Sequence, residues 1–179
     1  MDLRTWLVDE LDDTATRLRA QVLSQVPEER RRERPGGGNS ITWACYHSAR
    51  HTDLALAVLT GGDVMLPPQS RRGGGGLEED EQSWAAGMDP ATAADYLVEA
   101  LAGARDYVDS ADGSKLERVP ETAAILSDVG VPREGYEWLY RMWSDKPAAF
   151  LVRWPLTGHV TNHVGEMIAT RNRMGLSPF

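Results

Sequence analysis

The chain has 179 residues with an apolar share of 41% and a charged share of 26%, the make-up of one globular domain spanning 1–179 rather than of a disordered tail. Its net charge of −8 argues against duplex nucleic acid as a partner, because a basic face supplies most of that affinity. A lone cysteine, Cys45, excludes both an intrachain disulfide and the four-cysteine zinc patterns.

Alternating Val, Ile and Thr runs are absent, whereas apolar residues recur at three and four, so the fold class expected is all-α. The first predicted helix carries Leu3, Trp6, Leu7, Leu11, Leu18 and Val22, with acids early and Arg17 and Arg19 late, as a helix dipole favours. Its start, Met1 to Leu11, lacks the basic opening and apolar block of a signal peptide, which points to a cytoplasmic protein. Pro27 and Pro35 to Gly38 end this helix, and Arg30, Arg31, Arg32 and Arg34 read as a solvated helix end and turn.

A second helix should begin near Ser40, capped by Asn39 or Ser40, and stop at Gly61–Gly62. Trp43, His47, Leu54 and Val58 share one stripe on it. The segment from Gly62 to Gly87, with its glycine run at 73–76, is long for a connection and is expected to be a mobile crossover with Trp84 anchoring its far end. Asp89–Pro90 opens a third helix, a cap followed by proline at the first helical position, running to about Asp112–Gly113. After a polar, Pro-containing stretch, Tyr136 to Trp143 reads as a short helix. Pro147 and Pro155 punctuate the chain before a last helix from about Thr157 to Met174. Four main helices with one long crossover predict a four-helix bundle. No window approaches the ~20 apolar residues of a membrane span.

The four histidines fall in two pairs, His47 with His51 and His159 with His163, both spaced i, i+4. That spacing stacks two imidazoles on one helix face, where they can converge on one ion, and a third from a facing helix leaves a coordination position open. The competing reading is surface or hydrogen-bonded core histidines. Position favours the ion: His47 lies on an otherwise apolar stripe, and His159 and His163 lie beside Leu156, Val160 and Met167, where an unpaired polar ring is costly.

Familiar alternatives fit poorly. A metalloprotease clip needs glutamate after the first histidine, where Val160 stands. Di-iron bundles need two Glu-x-x-His motifs, and Gly73 to Gly76 lacks the lysine and strand of a phosphate loop.

Asn39-Ser-Ile-Thr-Trp43 leading into His47-Ser-Ala-Arg50-x-x-Asp53 resembles the second helix of the DinB-like superfamily. His159-Val-Thr-Asn-His163-Val-Gly-Glu166 resembles the last helix of that superfamily, and the two motifs stand in the same order and at a suitable separation. The resemblance implies a four-helix bundle with one long crossover, common homodimerisation, and a metal triad of His47, His159 and His163. It also implies zinc or nickel as the ion, and a low-molecular-weight thiol such as mycothiol or bacillithiol as co-substrate. His51 is outside that ligand set and is expected not to be a ligand. Glu166 stands open between an exposed helix residue, an acceptor for a ligand imidazole's outer N–H, and a base on a metal-bound water. Arg50 and Arg153 are expected in surface ion pairs, with recognition of a ligand carboxylate as the alternative. Cys45 is expected to be a small buried filler.

The leading expectation is a metal-dependent thiol S-transferase or related isomerase acting on a small-molecule thiol and an electrophile, without nucleic-acid or membrane partners. A non-catalytic metal- or small-molecule-binding bundle in stress response or detoxification is one alternative, and a metal-dependent hydrolase the other.

Overall fold

The computed structural model describes residues 2–62, 64–65 and 89–178, and the described residues are helical with no strand. Helix α1, Leu3–Arg17, starts where the Asp2 carboxylate accepts the amide of Thr5 at 2.8 Å. It does not stop there: the chain runs on through a wider π-helical turn, Leu18–Leu23, with Leu18 and Val22 buried. Arg31 then folds back, and its guanidinium donates to the carbonyls of Leu23 and Val26 at 3.0 and 3.2 Å. The arginine run therefore lies past the helix, in a short 3-10 turn at Glu28–Arg30 and the turn after it. It is only partly solvated, with Arg30, Arg31 and Arg34 half-buried and Arg30 paired to Glu33 at 2.7 Å. Gly36, Gly37 and Gly38 follow with φ of 77°, 82° and 83°, a left-handed run that side-chain-bearing residues rarely adopt.

Helix α2, Ile41–Thr60, is capped by Ser40, whose hydroxyl accepts the amide of Trp43 at 3.1 Å, and ends on Gly61 at φ 70°. Most of its faces are buried, not one stripe alone. That places Thr42, His47, Ser48, Arg50, His51, Thr52 and Asp53 inside the protein, where each polar group must find a partner or carry a desolvation cost. Helix α3, Pro90–Ser110, begins as the sequence predicts, with the Asp89 side chain accepting from Thr92 at 2.8 Å. It packs along α2 and α1. The expected crossover lies largely outside the described residues, as do its glycine run and Trp84.

The polar, Pro-containing stretch holds two short helices, α4 at Gly113–Glu117 and α5 at Thr122–Asp128. Helix α6, Glu137–Trp143, follows, and Trp143 is fully buried. The next segment differs from the sequence reading. Pro155 does not separate a loop from the last helix; α7, Ala148–Leu151, continues through a π-helical turn, Val152–Gly158, into α8, His159–Arg173. A proline inside an α-helix removes a hydrogen bond and collides with the preceding turn, and the wider π turn accommodates both defects. The Thr52 hydroxyl donates to the Pro155 carbonyl at 3.3 Å, which ties this turn to α2. Helix α8 therefore starts with His159 held against α2, and its far end is fixed to the first segment by Arg171, which donates to the Gln21 carbonyl at 2.6 Å. No described helix is long and apolar enough to cross a membrane.

Candidate metal centre

The facing sides of α2 and α8 bring His47, His159 and His163 together, with one nitrogen from each within 4.8 Å of the others. The Nε2 atoms of His47 and His159 lie 3.3 Å apart. Two imidazole nitrogens bound at ~2.0–2.1 Å to one tetrahedral ion stand about 3.3 Å apart, so this separation fits a shared ion. The third ring is oriented from outside: Nδ1 of His163 lies 2.8 Å from the Glu166 carboxylate. With that carboxylate ionised, Nδ1 carries the proton and donates, and the lone pair of Nε2 is left for an ion. The His163 hydrogen bond holds the Glu166 carboxyl below its usual range, and the neighbouring Asn39 side chain lowers it further.

Aromatic rings wall the cluster. Trp43 stacks on His47 with ring centres 4.3 Å apart and planes 14° from parallel, and meets His163 edge-on at 6.1 Å. Trp154 meets His159 edge-on at 5.9 Å. His51 is buried against the cluster, with ring centres 4.3 Å from His159 and 4.7 Å from His47, yet it is not part of the three-residue group. Behind it stand Trp138 and Trp143, each 6.1 Å away.

Burial keeps the His159 and His51 imidazoles neutral, and the neutral ring is the form that binds metal. Desolvation, then repulsion from His163 and His47, pushes His159 down to about 3. Desolvation also lowers His51, reinforced by the neighbouring histidines and Arg50. These shifts set a pH dependence for the metal-free protein. An unfolded imidazole titrates near 6.5, so the unfolded chain gains protons below that pH while the folded one does not. Stability is complete above about 6.5 and falls as the pH drops below it, a loss that for His159 continues down to about 3. Urea unfolding of chelator-treated protein between pH 7.5 and 4.5 reads this directly, and a constant midpoint would contradict it.

Glu166 is expected to matter through orientation. Glu166→Gln should weaken metal binding by roughly 10–100-fold, the usual cost of losing a carboxylate behind a ligand histidine, with little change in fold. Competition against a chromophoric chelator measures it.

Three residues stand differently from their sequence readings or are now fixed. Arg50 is not at the surface in an ion pair; it is fully buried, because α2 is enclosed on most sides. Arg153 is exposed. Cys45 is the buried filler expected: its Sγ donates to Met167 Sδ at 3.6 Å, and burial pushes the thiol up to about 12.

Among solved structures the chain is similar to a conserved protein of Enterococcus faecalis, at 18% identity and a TM-score of 0.62, covering 98% of this chain and 99% of that one. That likeness establishes the fold alone. Among curated proteins, none matches the chain. The family model of the DinB superfamily matches residues 10–167, from within α1 to near the end of α8. With the motifs of α2 and α8 both inside that match, the chain belongs to the DinB superfamily.

Proposed function

We propose that His47, His159 and His163 hold one divalent ion, zinc or nickel, and that the protein is a thiol S-transferase or related isomerase acting on a small electrophile. The observation that carries the metal reading is the convergence of three imidazole nitrogens from two helices within 4.8 Å. Three neutral nitrogen donors suit these borderline ions and leave a coordination position open. When bound, such an ion supplies Lewis acidity that lowers the pKa of a sulfur or oxygen entering that position. The thiol chemistry is supported by the resemblance of the two motifs to the superfamily, several of whose members use mycothiol or bacillithiol.

The chain's own residues have separable tasks. His47 and His159 clamp from two helices, and the π turn tied to Thr52 sets where His159 begins. Glu166 holds the ring of His163 and its tautomer. Trp43 covers one face of His47 and keeps water from it. Cys45, buried and protonated, does not compete with an incoming thiol.

The test mixes zinc-loaded protein with mycothiol and an alkyl halide electrophile. A carbon–sulfur bond forms, halide leaves with the bonding pair, and the thiol proton goes to solvent. The reading expects metal-dependent thioether formation. A metal-loaded protein that gives neither turnover nor a thermal shift with any thiol would instead be a binding bundle.

A further inference from the structure

Arg50 has no exposed surface, and among the described residues its Nε, Nη1 and Nη2 all lack a hydrogen-bond partner. A buried unpaired guanidinium is among the costliest groups a core can hold. The nearby carboxylate does not relieve it: Asp53 is engaged by the Tyr96 hydroxyl at 2.6 Å and the Met65 amide at 2.9 Å. Arg50 is not isolated in this respect. Trp138 Nε1, Trp143 Nε1 and His159 Nδ1 are also buried without partners, and all three rings contact His51, the residue after Arg50. Among the described residues, no carboxylate or amide oxygen is a buried atom without a partner. The surplus beside the three-histidine cluster is therefore made of groups able to donate, with one fixed positive charge. Arg50 is also three residues past His47, a spacing that places the two side chains on adjacent parts of one helix face.

We propose that Arg50 binds the carboxylate of a small organic ligand held beside the three-histidine centre. The planar fork of the guanidinium matches a carboxylate with two parallel N–H···O bonds. The proposal rests on the reading that a small molecule occupies this site, and not on the reaction that follows.

The test follows the Arg50 Nε–H resonance of full-length protein by NMR, assigned through the backbone, during titration with propionate and, separately, propionamide. Both metal-free and zinc-loaded protein are used. A saturable shift with propionate in both forms, with propionamide at least about tenfold weaker, is expected from loss of a charge-assisted pair. Arg50→Lys keeps the charge without the fork and should weaken propionate about tenfold or more while metal content stays unchanged. The wild-type titration stands even if that variant fails to fold. Equal response to propionamide, or no saturable shift, overturns the proposal. So does a response confined to zinc-loaded protein, which would make the carboxylate a metal ligand and leave the metal reading intact.

Discussion

Replacing His163 with alanine is expected to lower zinc or nickel affinity by more than about 100-fold while preserving the helical fold. Loss of a group behind a ligand histidine costs 10–100-fold, and loss of the ligand itself exceeds that. His163 is the informative choice because its side chain is 17% exposed, so truncation opens less buried space than at His47. His47 is more deeply buried and stacked on Trp43, so its removal mixes packing loss with ligand loss. Chelator competition reports the affinity, and circular dichroism reports the fold. Unchanged affinity in a folded variant would remove His163 from the ligand set.

Trp143→Ala should cost about 3–5 kcal/mol of stability, the range for deleting a large aromatic ring from a core. The ring is completely buried and is the largest such side chain among the described residues. It also stands 6.1 Å from His51, so the cavity would open next to the imidazole cluster and loosen it. Trp6 supplies the contrast: it is 48% exposed, and Trp6→Ala should stay within about 0.5 kcal/mol of wild type. Urea midpoints with unchanged slopes measure both. A loss below about 1 kcal/mol at Trp143 would contradict the packing described.

What the sequence disclosed depended on whether a side-chain pattern encoded it. The start of α2 and its stop were legible because Ser40 and Gly61 act through local chemistry, a hydroxyl acceptor and a left-handed residue. Asp89–Pro90 worked the same way for α3. The i, i+4 histidine pair of α8 and the i, i+3 step to Glu166 were legible for the same reason, since helical spacing alone aligns them. The π turns at Leu18–Leu23 and Val152–Gly158 were not, because a wider turn leaves no distinct periodicity, and a proline normally signals a break. Helices α4 and α5 are too short to show an apolar stripe.

Arg50 was misjudged for a different reason. Its position, three residues past His47 and four before Leu54, already lay near the inward stripe, but arginine is rarely buried without a partner. The close enclosure of α2 by α3 and α8 overrode that tendency. His51 shows the same effect. Only the packed structure reveals that it touches His47 and His159 while standing outside the converging triad.

The most direct measurement of the account is an anomalous-difference map from crystals of zinc-loaded protein collected on either side of the zinc edge. A single peak enclosed by the rings of residues 47, 159 and 163 is the predicted result. A fully folded, zinc-saturated crystal with no peak there, or with its peak at another site, would contradict it.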